Sequence, residues 1–162
     1  MHPNAELITR FYRAFRERDG AAMAACYHRD IHFSDAVFPG LHGPRAGAMW
    51  RMLCARAVDL KIEFRDVEAD DRSGRAHWEA WYTFTVTGRA VHNVVDARFE
   101  FRNGLIARHE DVFAFWRWTR QALGPVGWLL GWSPLVRDGV RKKASTGLDD
   151  FMEKERRSGD DS

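Results

Sequence analysis

Cysteine is nearly missing from this 162-residue chain, which holds only Cys26 and Cys54. The two stand far apart in apolar helical patterns, with no CxxC pair, so neither a disulfide framework nor a zinc site is indicated. Charge of one sign is lacking as well: the formal balance is +2, which argues against a general nucleic-acid surface. Lysine occurs only at positions 61, 142, 143 and 154, a bias toward arginine read as codon usage before function. No run of about 18 apolar residues exists to suggest a membrane span. No charged-then-apolar leader opens the chain, so a reducing cytoplasm is the default expectation. A glycine-rich phosphate loop is missing too, because Gly40-Leu41-His42-Gly43 has neither the lysine nor the strand–helix context. The seven histidines lack ligand spacing, so no metal is expected, and no cofactor.

What is present, 45% hydrophobic and 30% charged residues, is the composition of a soluble globular protein. The length suits one domain with its own core. Residues 1–118 read as its body, and residues 119–162 as an apolar loop and C-terminal helical extension of it. Asn4 can cap a first helix from Ala5 to about Arg18, in which Leu7, Ile8, Phe11 and Phe15 recur at helical spacing. Asp19-Gly20 breaks it, and Ala21–Tyr27 reads as a short second helix. A third runs from about Arg45 to Val58, with Met49, Trp50, Leu53 and Ala57 as its stripe.

The period then becomes two. Leu60, Ile62 and Phe64 alternate with charged residues. Ala76, Trp78, Ala80, Tyr82, Phe84 and Val86 line one face of a long strand, and Val91, Asn93, Val95, Ala97, Phe99 and Phe101 line the next. Asn103-Gly104 is a hairpin signal, and Leu105 to about Phe115 returns antiparallel. Helices followed by long antiparallel strands form an α+β pattern, with an apolar sheet face that the helices must cover. A curved sheet around a long helix would enclose a cavity.

Ahead of that sheet, Ile31, Phe33, Asp35 and Val37 share one face of a short strand. A carboxylate in line with apolar residues loses water, which raises its pKa and suits it to act as a base. The plainer reading is a turn aspartate, since Pro39 and Gly40 follow. On the last strand Leu105, Ala107, His109, Asp111, Phe113 and Phe115 share a face, so His109 and Asp111 interrupt an apolar stripe. His28, His32, His77 and His92 are expected away from this interior.

These residues resemble the nuclear transport factor 2-like superfamily, in its SnoaL-like and ketosteroid isomerase-like branch. The resemblance rests on Ile8–Phe15, Asp19-Gly20, the Tyr27-His28-Arg29-Asp30-Ile31 run, the Asp35 strand with Pro39-Gly40, and Phe99–Ile106 followed by Arg108-His109-Glu110-Asp111. It covers about Ala5 to Phe115. It implies a cone: a strongly bent antiparallel sheet packed against N-terminal helices, holding a pocket, in a homodimer formed through the sheet. Isomerase members use a first-strand Asp as proton shuttle, and Asp35 stands there. Their oxyanion hole needs a Tyr and a protonated Asp. Here the Tyr position is Phe11, Tyr12 points about 100° away round the helix, and the Asp position falls on Asp96 or Ala97, so a steroid-isomerase oxyanion hole is not expected.

The expected site therefore has Asp35, His109 and Asp111 as catalytic groups, with Phe11, Phe15, Phe33, Trp50, Tyr82, Asn93, Phe99 and Phe113 around a small hydrophobic ligand. Two functional readings stand side by side. One is an enzyme using cofactor-free acid–base chemistry, such as isomerisation, cyclisation or epoxide opening. The other is a binding or accessory module without chemistry. The tail adds a further possibility. Trp116, Trp118, Trp128 and Trp132 with neighbouring arginines suit a membrane surface or a partner, although a lid formed by Trp128–Trp132 over the open end of the cone is the favoured expectation. Ser133-Pro134 starts a last helix, expected to fray beyond Glu153.

Overall fold

The computed structural model describes residues 1–131 and 133–161. Helix α1 spans Pro3–Arg16 and α2 spans Gly20–Ala25, followed by β1 (Tyr27–Ser34), β2 (Leu41–His42) and α3 (Pro44–Arg56). Four long strands come next: β3 (Lys61–Ala69), β4 (Ser73–Phe84), β5 (Arg89–Arg102) and β6 (Leu105–Val112). Helices α4 (Phe115–Leu123), α5 (Pro125–Leu130) and α6 (Pro134–Asp160) complete the chain.

The start of α1 differs from expectation. Pro3 occupies the first turn, where its missing N–H costs nothing, and His2 caps the helix by accepting from the Asn4 amide at 3.1 Å. Asn4 is thereby freed to donate to the Asp70 carbonyl at 2.9 Å, pinning the helix to the β3–β4 turn. Asp19 caps α2 through the Ala22 amide at 2.9 Å. Tyr27 opens β1 rather than closing α2. In α3 the inward residues are Met49, Trp50, Met52 and Cys54, while Leu53, expected in the stripe, is exposed.

The sheet is six-stranded and open, in the order β2-β1-β6-β5-β4-β3. Strands β3 to β6 pair antiparallel with their sequence neighbours, as the alternation implied. The turn at Asn103-Gly104, with both residues at positive φ, sets the last of these hairpins. Strand β1 instead runs parallel to β6, aligning Phe33 with His109, so the sheet is mixed. Register shifts in β1, β3 and β6 mark bulges, which increase the curl of a sheet. One bulge corrects the parity of β6. The shift beside Phe101 adds a residue near Ala107, so Ile106 turns into the core with His109, while Leu105 and Ala107 are half-buried.

The main core lies between the sheet and helices α1 and α3. It includes Ile8, Phe11, Tyr12, Phe15, Phe33, Trp50, Trp78, Val95 and Phe99. A second cluster, Val91, Phe115, Trp118 and Ala122, is built by α4 against β5, with Phe84 and Val140 at its margin. Val37, Tyr82 and Phe113 touch both. Ser133 caps α6 as expected, yet the helix continues past Glu153 to Asp160. Arg156 and Arg157 both grip Glu153, and Arg156 also reaches Asp160, which props up the last turns. Farther back, α6 docks on α3 through Leu148 and two ion pairs, Arg45–Asp149 and Arg51–Glu155.

The lid takes a different form. Trp118 and Phe115 of α4 are buried, whereas Trp128, Leu129 and Leu130 of α5 are exposed. Trp132, part of the expected lid, lies outside the described residues. His28, expected at the surface, is buried, and its Nδ1 accepts from the Asp30 amide at 3.1 Å.

Helix α2 meets α3 backbone to backbone. A Cβ at Gly20 would stand 2.5 Å from Arg51 Cα, with no flexible side-chain end to yield. Gly20→Ala is expected to lower stability by about 1–3 kcal/mol, read as an earlier urea midpoint with unchanged slope.

Candidate functional site

At the centre of the core the His109 imidazole is completely buried among rings. Phe99 lies 4.4 Å away centroid to centroid, Phe33 5.1 Å, Phe11 5.4 Å and Trp50 6.0 Å. An imidazole in such surroundings must have both nitrogens satisfied. Its Nδ1 is 2.7 Å from the Tyr27 hydroxyl and its Nε2 is 2.8 Å from Asp111 Oδ1. Trp50 Nε1 donates to the Tyr27 oxygen at 2.7 Å, and Trp78 Nε1 donates to Asp111 Oδ1 at 3.3 Å.

Donor and acceptor capacities order the protons. An indole only donates, so the Tyr27 oxygen accepts from Trp50, and its O–H donates to His109 Nδ1. The ring proton then sits on Nε2 and is donated to the Asp111 carboxylate. The chain Trp50, Tyr27, His109, Asp111, Trp78 crosses α3, β1, β6 and β4, and every link in it is buried. Tyr27 and Trp78 were not among the site residues expected from sequence. Tyr12, set aside on helical geometry, is also fully buried, and its hydroxyl has no partner among the described residues. Burial pushes its pKa well above the usual phenol value, with Asp111 and Tyr27 adding to the rise.

Asp35 lies one residue past the end of β1, where the chain turns. Its amide donates to the Phe38 carbonyl at 2.9 Å, while its Oδ1 accepts from the Val37 amide at 2.8 Å and the Phe38 amide at 2.6 Å. The turn role is therefore real. Yet the residues that follow it, Ala36 and Val37, pack against the second cluster, and the Asp35 charge is felt by Tyr82. Burial, the largest cause, pushes its pKa up to about 7, and the Asp111 charge adds to that rise. The Phe38 and Val37 amides and Arg141 of α6 pull the other way. Arg141 is held there by donating from Nε to the Ala36 carbonyl at 2.9 Å.

Tyr82 completes the group. Its oxygen accepts from Trp118 Nε1 at 2.7 Å, which leaves the hydroxyl proton to donate elsewhere. Burial raises its pKa, and Asp35 raises it further. Asp35, Asp111 and Tyr82 thus share one electrostatic neighbourhood. The expected pairing of His109 with Asp35 is not formed, since both imidazole nitrogens are engaged by Tyr27 and Asp111.

The expected ligand-binding residues separate into two sets. Phe11, Phe15, Phe33, Trp50 and Phe99 pack on one another in the deep core. Tyr82, Asn93 and Phe113 are half-buried, Tyr82 and Phe113 at the junction of the two clusters. An open groove of about 730 Å³ lies among Glu68, Arg75, Arg98, Phe99, Arg108 and Glu110. Those alternating charges on strands describe a solvated sheet surface, and none of the buried polar groups lines it. Among the described residues no cluster of three or more His, Cys, Asp or Glu is placed to hold a metal ion.

Residues 8–109 match the family model of the SnoaL-like domain. The chain belongs to that family. Solved structures agree on the fold of this SnoaL-like protein. A candidate polyketide cyclase of Xanthomonas campestris superposes with TM-score 0.62 at 22% identity, over 74% of this chain and 96% of that one. An LEH-like epoxide hydrolase of M. tuberculosis gives TM-score 0.61 at 18% identity, over 83% and 95%. A ketosteroid isomerase-like protein of Kribbella flavida gives 0.55 at 15%, over 69% and 78%. No curated protein matches the sequence.

Two stability effects follow. Tyr27→Phe removes the acceptor of Trp50 and the donor to His109, leaving two buried groups unpaired, and should cost about 2 kcal/mol in urea unfolding. Asp35 holds its proton more tightly when folded than when unfolded. Stability therefore falls as pH rises from the ordinary carboxylate range toward about 7, and stays lowered above it. Asp35→Asn should accordingly raise stability at pH 8 by about 2 kcal/mol, seen as a higher Tm, with no gain at pH 3.

Proposed function

We propose that this SnoaL-like protein is an enzyme that moves a proton on a small hydrophobic molecule, with Asp35 as the acid–base group. The observation that carries this reading is a turn carboxyl held by the Val37 and Phe38 amides, whose pKa burial and the Asp111 charge push up to about 7. A group titrating near the working pH is present in useful amounts as both acid and base. The turn amides hold its Oδ1 in a fixed place, so the carboxyl does not need to reorganise during transfer.

The spare Tyr82 proton can be donated to an oxygen of the bound molecule, stabilising charge that develops there. Asp111 acts through its field, raising Asp35, and is itself oriented by His109 and Trp78. His109 and Tyr27 are thus positioning residues. Isomerisation of a ketone, ring closure and epoxide opening all require such a proton shift, and the names of the structural neighbours fall in the same three classes.

Turnover would be sought with a panel of polycyclic ketones and epoxides, followed by chromatography. Asp35→Asn should lower kcat/KM about 100-fold or more. Activity of the unaltered protein should change through a limb near pH 7. Asp111→Asn removes a like charge, so that limb should move to lower pH. Full activity in Asp35→Asn would end this assignment.

A further inference from the structure

The tail carries a feature that proton transfer does not use. On α5 and just beyond it, Val126 is 55% exposed, Trp128 58%, Leu129 72% and Leu135 83%. This exposure is built in. Gly127 and Gly131, one helical turn apart, lie directly against Thr119 of α4, where a Cβ at either position would collide with it. The small residues of the segment face the protein, so its large ones must face outward. Trp128 is held in place by Arg120, whose guanidinium lies over its ring at 5.2 Å and over the Trp116 ring at 4.8 Å.

Charge is distributed asymmetrically along this segment of the chain. From Phe115 to Lys143 the chain holds Arg117, Arg120, Arg137, Arg141, Lys142 and Lys143 against the single acidic Asp138. The whole chain is only +2, so the remainder is net acidic. Among the described residues none of those six cations forms a salt bridge with a carboxylate. Arg117, Lys142 and Lys143 are exposed. Tryptophan and leucine backed by arginine and lysine match the boundary of a bilayer, where rings sit among headgroups and cations meet lipid phosphates. Among the described residues no helix is long and apolar enough to cross a membrane, so contact would be at the surface.

We propose that the α5 ridge, with Arg120 beside it and an excess of cations in the flanking segments, docks this protein on the surface of an anionic phospholipid bilayer. Apolar insertion by Trp128, Leu129 and Leu130 supplies one component, and electrostatic attraction the other. Neither depends on the reaction at Asp35.

The full chain would be sedimented with vesicles of phosphatidylcholine containing 30 mol% phosphatidylglycerol, as an order-of-magnitude anionic content, and with phosphatidylcholine alone. Binding is expected on the anionic vesicles, weakened several-fold at about 0.5 M salt, where the Debye length has shrunk. Leu129→Glu with Leu130→Glu should abolish it while circular dichroism and Tm remain unchanged, because both side chains already face water. A milder variant, Leu129→Ser, should lower binding several-fold and guards against misfolding of the pair. Failure of the unaltered protein to bind anionic vesicles at low salt would overturn the proposal. So would equal binding by the folded variants, or an association between copies of the chain that the variants abolish without any vesicle binding.

Discussion

The imidazole of His109 governs the interior of this molecule. A polar ring in the middle of Phe11, Phe33, Trp50 and Phe99 is tolerable only if both nitrogens are paired, because an unpaired buried polar group costs on the order of 1–3 kcal/mol. Tyr27 and Asp111 meet that demand, and each needs a tryptophan donor behind it. Four elements are thereby locked in mutual register through side chains, in addition to their backbone pairing. The parallel alignment of β1 with β6 has the same consequence, since it sets Phe33 opposite His109 two residues before Asp35.

The Asp111 carboxylate couples this network to Asp35 through its charge. Its charge is stabilised on one side by His109 and Trp78, and it is felt on the other by Asp35, Tyr12 and Tyr27. A second carboxyl near a buried, hydrogen-bonded first one is driven to keep its proton. The order of effects matters here, since burial contributes most to the raised Asp35 value and Asp111 only supplements it. Turn capping and acid–base competence are not rivals at this residue. One oxygen holds the turn, and the desolvation that comes with that position tunes the group.

The C-terminal helices serve two faces at once. On its inner side α4 buries Trp118 against Tyr82 and Phe84, and α6 brings Val140 and Arg141 to the loop carrying Asp35. On its outer side α4 receives the glycines of α5 and turns that helix's large apolar residues toward solvent. Closing the end of the sheet and presenting an apolar ridge are thus consequences of a single packing arrangement.

Local chemistry made much of this legible before any coordinates. Period-two alternation marked Trp78, Val95 and Phe99 as inward, helical spacing did so for Ile8, Phe11 and Phe15, and Asn103-Gly104 and Ser133-Pro134 announced a hairpin and a helix start. The order of helices and alternating strands gave the α+β class, and family resemblance added the strong bend of its sheet. Each of those signals lies within a few residues of what it determines, so the chain alone determined the order of elements, their inward faces and the placing of Asp35 at the end of an apolar strand. Tertiary structure decided what depends on distant partners. Tyr27 and His109 are 82 positions apart, and no periodicity links them. A single inserted residue in the β5–β6 register turned Ile106 inward, and the close contact between α5 and α4 turned Trp128 outward. Pairing and contact across the fold, not local preference, set these, which is why they could be read only from the folded chain.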